Sequence, residues 1–486
     1  MATKYMSRPN ILLVILDSVR AQNCSLYGHR NETTPFLSEL ATEATVYQQA
    51  RSPSIHSIAS HASIFSGLHT EEHNVTEHES HLDPTATIWH ELRKGHDYST
   101  GLFTPNVVVS ESSNLDEPFN TTIGLKDGEQ TRLFDRGLSP ADLDSAVSSP
   151  QYLLKGLRDE SPLRSILNGL YFKATPNISP YDPERTSATQ YIEMTLDWIR
   201  DQSDSWAACV NLLDAHYPYL PQEDHNLWGG EPLADIADRI PNGPLSNEFL
   251  SGRPWGQLRA LESLYDGSIH QLDTAIEQLV TGLKQSGDLE DTLLVITSDH
   301  GEGFGEQSRL TPPVRLVDHS WGIAEELTHI PLLVKEPGQD AGHWVSEVAS
   351  LTRFPAVVKA GLNGQPAAEK FLPPDGRVLS STYRITPPGE ELPLDNETEK
   401  EPYFGPWRAV YENADDDVVK YASRREDAAK FRIAGTNVST PIDVEGQVVD
   451  QEFSELADAG VAIGDPAIRE VDQHVEDRLT ELGYLR

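Results

Sequence analysis

Cysteine is almost missing from this chain of 486 residues: Cys24 and Cys209 are the only two, so no disulfide framework is available and the fold must rest on a buried core. Cys209 sits in the apolar run Trp206 to Leu213, where a thiol is expected as a small buried hydrophobe. Long hydrophobic runs are missing too. Nothing approaches the roughly 20 apolar residues of a membrane span. The opening stretch Met1 to Asn10 lacks an apolar signal core, and the expectation is a cytoplasmic protein with no membrane span. Basic charge is scarce, with 38 Lys and Arg against 76 Asp and Glu and a formal net charge of -38 spread along the chain. Such a surface excludes nucleic acid as a partner. Lysine is scarcer still, 12 against 26 arginines, and with the diffuse acidity this bias suits a salt-rich, halophilic cytoplasm. At roughly 1 M salt the Debye length is about 3 Å, so only charge local to a site decides whether it accepts an anion.

What the chain does have is a recurring alternation of apolar runs and amphipathic stretches. Asn10 to Asp17 is a continuous apolar run ending in a carboxylate, the pattern of a buried parallel strand that delivers Asp17 to its C-terminal edge. Open α/β sheets bind ligands at that edge. Thr33 or Thr34 is placed to cap a helix that starts at Pro35. A further helix is expected from Ser57 to Gly67, whose N-terminus could hold an anion. Residues 110 to 180 and 222 to 255 are polar, turn-rich excursions suited to a substrate-facing lid. The pattern resumes with a helix from Ser187 to Asp201, the strand Trp206 to Leu213, a helix from Leu258 to Leu283, and strands at Leu293 to Ser298 and Ile330 to Lys335. Past about residue 345 prolines and acidic clusters increase and strand-like pieces shorten, as in a smaller α+β subdomain. The tail places Val471, Val475, Leu479 and Leu482 near helical spacing, hence a closing amphipathic helix.

Candidate chemistry follows the strand ends. Asp299 and His300 come directly after an apolar strand and before Gly301, a carboxylate and an imidazole that together suit a divalent ion. Ser57 reads either as an ordinary helix N-cap or as a nucleophile, and the second role needs a base or a metal. His216, in a proline-stiffened loop, and His319, in Val317 to Gly322, could each serve a substrate oxygen or be structural.

Several separated motifs then agree in order. They are Asn10 to Asp17 with Arg20 and Tyr27-Gly28; Thr34-Pro35 with Leu40-Ala41; Ser57 to Gly67; His216 to Tyr219; Tyr265 to Ile269 with Asp273; Ser298 to Glu302; and His329 to Gly338. On these, the chain resembles the sulfatase family of the alkaline phosphatase superfamily, in a halophilic archaeal form, from Asn10 to Gly338 and again at Leu479 to Leu485. The resemblance implies an α/β/α sandwich around a mixed, largely parallel sheet, with a catalytic domain over 1–345 and a C-terminal subdomain over 346–486. It also implies metal ligands at Asp17, Asp299 and His300, a nucleophile at Ser57, and His216 and His319 near the transferred group or a second metal. The Tyr265 to Asp273 segment is expected to hold its helix against the sheet.

Two departures stand out. Asp17-Ser18 replaces the adjacent aspartates of many members, so one acidic ligand is missing or exchanged for a hydroxyl. In Ser57-Ile-Ala-Ser-His61, Ala59 and His61 stand where sulfatases carry the proline and arginine that signal oxidation to formylglycine, so Ser57 is expected to act unmodified. The implied reaction is metal-dependent hydrolysis of a small-molecule or glycan sulfate ester, with Ser57 attacking and His61, His216 and His319 stabilising charge or protonating the leaving group. The alternatives are a phosphatase, phosphodiesterase or phosphotransferase working through the same serine, and a non-catalytic metal-binding homologue. Calcium, magnesium or manganese would suit one site, zinc or manganese two. Mass spectrometry of the peptide containing Ser57 should return the mass of an unmodified serine; a peptide lighter by two hydrogens would show that conversion occurs without the proline and arginine.

Overall fold

The first apolar run becomes β1 (Asn10–Leu16), buried from Ile11 onward. A strand covered on both faces has no need of polar alternation, and that is why the run reads as continuous. The computed structural model describes residues 8–78, 80–124, 138, 152, 155–159, 161–174, 187–237, 239–240, 244–312, 314–386, 389–414, 417–436, 438–442, 448–458 and 464–465. The closing helix expected around Val471 to Leu482, and most of the excursion between 125 and 186, lie outside these residues.

After β1 come β2 (Thr45–Arg51), β3 (His81–Leu82), β4 (Ser99–Phe103), β5 (Thr121–Ile123), β6 (Trp206–Leu212), β7 (Thr292–Thr297), β8 (Gly303–Gln307), β9 (Arg315–Asp318), β10 (Leu332–Lys335) and β11 (His343–Ser350). The chain continues through β12 (Arg377–Thr382), β13 (Trp407–Ala414), β14 (Asp417–Arg424), β15 (Asp427–Ala434), β16 (Val438–Ile442) and β17 (Gly464–Asp465). Eight strands form the large sheet in the order β11-β2-β10-β7-β1-β6-β4-β5. Pairing is parallel between β1 and both β6 and β7, between β4 and both β5 and β6, and between β2 and β11. β10 runs antiparallel to β2 and β7, which makes the sheet mixed and largely parallel.

Successive side chains of β1 point to opposite faces, and each face has its own core. Leu12, Val14 and Leu16 pack with residues of the helices Ala188–Arg200 and Trp255–Ser286. Ile11, Leu13 and Ile15 pack with the helices Ser57–Ser66, Ile88–Gly95 and Phe354–Leu362. The result is the expected α/β/α sandwich. Among the described residues no helix is long and apolar enough to cross a membrane.

The helix Pro35–Leu40 has Thr34 at its N-cap position, but the threonine makes no side-chain cap bond. Asp273 supplies the cap from the long helix instead, accepting from Phe36 N at 2.7 Å and Leu37 N at 2.9 Å. Asp273 of the Tyr265 to Asp273 segment thus ties the long helix to the helix Pro35–Leu40.

The C-terminal part is an antiparallel sheet in the order β12-β13-β14-β15-β16, with the helix Val448–Asp458 packed on it through Val449 and Phe453 against Leu379 and Val410. The division expected at 345/346 falls inside β11. Phe354, Val357, Val358 and Phe371 still pack in the core of the large sheet.

The two parts are clasped by a buried ion cluster. Glu325 accepts from Arg51 at 2.9 Å and from Lys420 of β14 at 3.0 Å, with all three side chains nearly inaccessible. Burial alone would raise the Glu325 pKa, but Arg51 and Lys420 hold it down to about 2. Glu325→Gln leaves two buried cations without their anion, and the expected loss is about 3–5 kcal/mol of unfolding free energy. Because the folded-state pKa is depressed, this contribution is present above the unfolded carboxylate pKa and fades as pH falls toward about 2. Thermal unfolding of both proteins across that window should show the gap closing as the medium acidifies.

Candidate active site

β1 and β7 lie side by side in parallel with Ile15 opposite Thr297, so two residues further on their chains present Asp17 and Asp299 at the same sheet edge. The turn after β1 is tightly held. Asp17 N donates to Leu212 O at 2.9 Å, Ser18 adopts φ 65°, and the Tyr265 hydroxyl accepts from Arg20 N at 2.9 Å while donating to Ser18 O at 2.7 Å. The turn after β7 is equally close-set: a Cβ at Gly301 would stand 2.1 Å from the Glu326 carbonyl oxygen, so only glycine fits there.

Both carboxylates are fully buried. Asp17 Oδ2 accepts from Asn106 at 3.0 Å and from Asn211 at 3.3 Å, and Asn211 is oriented by Thr104 at 2.9 Å. Ser18 Oγ donates to Asp17 Oδ1 at 3.1 Å, so the serine that follows Asp17 buttresses its carboxylate. Asp299 Oδ1 accepts from Ser18 N at 3.3 Å and His300 N at 3.0 Å, while Asp299 Oδ2 has no hydrogen-bond partner among the described residues.

His300 Nδ1 donates to the Gly301 carbonyl at 3.0 Å, which leaves Nε2 as the nitrogen with the lone pair. Nε2 lies 3.5 Å from Asp299 Oδ2 and 3.9 Å from Asp17 Oδ1, and the ligand atoms of Asp17, Asp299 and His300 all fall within 4.8 Å of one another. Burial lowers the His300 pKa to about 3, keeping the ring neutral. Burial opposes ionisation of Asp17, yet His216, His300, His61 and His319 hold it below the usual carboxylate range; burial and then the Asp17 charge push Asp299 well up. An orphaned buried oxygen, two repelling carboxylates and a neutral imidazole are a donor set that a divalent cation fits.

Ser57 is the first residue of the helix Ser57–Ser66, and His56 takes the N-cap position. The N-cap option for Ser57 therefore falls away; its Oγ lies 3.2 Å from His300 Nε2 instead. His61, one turn on, bonds the Ser57 carbonyl through Nδ1 at 2.8 Å and sits 3.6 Å from Asp299 Oδ2. His61 Nε2 is buried without a partner among the described residues.

His319 packs its ring 4.3 Å from that of His300, and His216 lies 5.1 Å from His319 between ring centroids. His216 Nδ1 meets the Tyr217 carbonyl at 2.6 Å, which makes Nε2 its basic nitrogen. All seven residues singled out from the sequence thus converge on one place.

The sequence reading passed over Asn106, Asn211, Glu302, Asp318 and His56. Asn211 left a signal, an amide inside the otherwise apolar run Trp206 to Leu213. Glu302 and Asp318 stood within the motifs, but nothing in their spacing ties one to the other. In the fold His319 Nδ1 lies 2.6 Å from Asp318 Oδ1 and 3.7 Å from Glu302 Oε1. Burial and Asp318 push Glu302 up to about 8, whereas Asp318, against the effect of burial, holds His319 well above the ordinary imidazole value.

The family model described as Sulfatase matches residues 9–358. Bovine (Bos taurus) arylsulfatase K is 22% identical over 426 residues, covering 82% of this chain and 69% of the relative. Among solved structures, the phosphonate monoester hydrolase from Silicibacter pomeroyi superposes with a TM-score of 0.59 at 18% identity, covering 93% of this chain and 94% of that one. A structure in complex with its substrate D-glucosamine-2-N,6-O-disulfate gives 0.57 at 14% identity, covering 98% of each chain. With the family model spanning well over half the sequence and the same architecture in these structures, the chain belongs to the Sulfatase family.

Proposed function

We propose that this chain is a metal-dependent hydrolase of sulfuric esters in which Ser57 is the nucleophile and Asp17, Asp299 and His300 hold the cation. The observation that carries this reading is Ser57 Oγ 3.2 Å from His300 Nε2, beside two buried carboxylates whose ligand atoms lie within 4.8 Å of each other and of that imidazole's ligand nitrogen. A cation held there would lower the pKa of a nearby hydroxyl and offset the charge of the ester. Ser57 also heads a ten-residue helix whose N-cap residue gives no side-chain bond, so first-turn N–H groups are available to the anionic oxygens.

In the first step Ser57 Oγ forms a bond to sulfur as the ester oxygen departs, and the hydroxyl proton ends on the leaving alcohol. In the second, water attacks sulfur, the Ser57 oxygen leaves, and the proton given up by water returns the hydroxyl. His216, with Nε2 as its basic nitrogen, is the residue assigned to relay these protons. His319 is assigned to the oxygens of the transferred group, and His61 to fixing the start of the helix through the Ser57 carbonyl.

The substrate class is a small-molecule or glycan sulfate ester, a reading supported by the sugar disulfate bound in the structural relative. The acid-rich, lysine-poor composition supports work in a salt-rich cytoplasm. A phosphoric ester is the second reading, favoured by Ala59 and His61 in place of the formylglycine signal, because an unmodified serine suits phosphoryl transfer.

Ser57→Ala should lower turnover by on the order of 10³-fold or more. Chelation followed by readdition of metal should abolish and restore turnover. Activity of the variant equal to wild type would overturn the nucleophile assignment. Aryl sulfate against aryl phosphate mono- and diesters, assayed on one preparation, separates the two readings.

A further inference from the structure

The chain that follows β12 in the C-terminal part runs alongside the approach to Ser57. Ser380 Oγ donates to Ser52 O at 2.6 Å, Ser381 N to Pro53 O at 2.9 Å and Thr386 N to Ser320 O at 3.0 Å, while Thr386 Oγ1 lies 3.4 Å from His56 Nε2. Two side chains between these fixed points part company. Tyr383 turns outward, 36% exposed, and its hydroxyl donates to Glu71 Oε1 at 2.8 Å. Arg384 turns inward, with its side chain only 7% exposed.

Inside, the guanidinium meets histidines. His56 and His78 are both buried, and burial followed by the Arg384 charge holds each well below the ordinary imidazole value, so two neutral rings stand beside a fixed cation. His56 faces His319 at 6.0 Å between ring centroids, and His319 faces His300 at 4.3 Å. A row of imidazoles therefore joins His300, at the proposed cation site, to Arg384. A carboxylate stands near the guanidinium as well, but Glu77 Oε2 is 4.0 Å from Nε on a side chain 57% exposed, a loose pair that solvent screens. Arginine stays charged at any working pH and offers five N–H donors in a planar fork that matches a carboxylate or a sulfate. In a chain of net charge -38 this is a positive feature set behind the residue next to Ser57. Its burial spares it the screening that concentrated salt imposes on a surface charge.

We propose that Arg384 is a specificity residue that binds a second acidic group, a carboxylate or sulfate, carried on the alcohol part of the ester, with His56 and His78 lining its subsite. The inference rests on the reading of Ser57 as the nucleophile of an ester hydrolase. The group to be transferred belongs beside Ser57 and His300, whose reacting atoms are 3.2 Å apart. An anion at Arg384, beyond the rings of His319 and His56, is then part of the leaving alcohol. The neutral rings donate N–H bonds to it without adding charge, and the guanidinium supplies the charge. The substrate class narrows accordingly, from sulfate esters in general to esters whose alcohol is itself anionic.

The test compares two substrates that differ by one carboxylate, 4-carboxyphenyl sulfate and phenyl sulfate, on the full chain and on R384Q and R384K. R384Q should lose about 10- to 100-fold in kcat/KM on the carboxylated ester, through KM with kcat little changed, and less than about threefold on the neutral one. R384K, which keeps the charge without the fork, should fall between. Equal losses on both substrates, or no loss on either, overturn the subsite. Turnover of neither sulfate by wild type counts against the ester-hydrolase reading, and binding then decides the subsite by itself. In calorimetric titrations with Mn(II) in the buffer, wild type should bind 4-sulfobenzoate at least about tenfold more tightly than benzenesulfonate, an advantage that R384Q abolishes. Equal affinity of wild type for the two sulfonates overturns the proposal, and this comparison needs no variant to fold.

Discussion

Two carboxylates stand next to each other at the carboxyl ends of β1 and β7, wholly out of reach of solvent and, among the described residues, with no Lys or Arg against either. Like charges at this separation in a low-dielectric interior repel strongly and cannot both ionise unaided. Much of the surrounding structure can be read as a response to that constraint. Asn106 and Asn211 donate to one carboxylate, the Ser18 and His300 N–H groups to the other, and four histidines bear on Asp17. These groups spread the charge without cancelling it, and Asp299 Oδ2 is left without a hydrogen-bond partner among the described residues.

Holding that centre requires rigidity in the turn after β1, and the long helix Trp255–Ser286 provides it. Tyr265 clamps Ser18 and Arg20, Asp266 receives Asn23 and Asn31, and Arg20 runs to Glu262 and Glu306 at 2.6 and 2.8 Å. The helix buries an apolar face against the sheet, so each polar bond it makes is anchored by core packing. The smaller C-terminal part acts on the other side. Ser380 and Ser381 bond the carbonyls of Ser52 and Pro53, and Thr386 reaches His56. The segment that leads into Ser57 is therefore set by both parts of the molecule together, and the Arg51, Glu325 and Lys420 cluster keeps them in register.

Much of this was legible in the sequence. Continuous apolar runs marked β1, β6 and β7 because a strand buried on both faces has no polar alternation to blur it, and the runs of β1 and β7 lead directly to Asp17 and to Asp299 with His300. The order of these runs and the helices between them marked an alternating α/β chain, while the α/β/α sandwich was what the family resemblance implied. The helical cap was misread because a threonine before a proline is a sound local signal, whereas the carboxylate that does the capping arrives from residue 273. The change of composition near residue 345 does not record that β11 joins the large sheet at its edge through pairing with β2.

The sequence by itself determined which groups stand at strand ends, Asp17, Asp299 and His300, and that Ser57 opens a helix, because these depend on patterns a few residues long. Only the tertiary structure decided that His56 and not Ser57 is the cap, that Asn106 and Asn211 serve Asp17, and that Glu302 meets Asp318 and His319. Those relations depend on strand register and on the closeness with which two backbones approach, as at Gly301 and Gly303. Neither quantity exists until distant segments have packed.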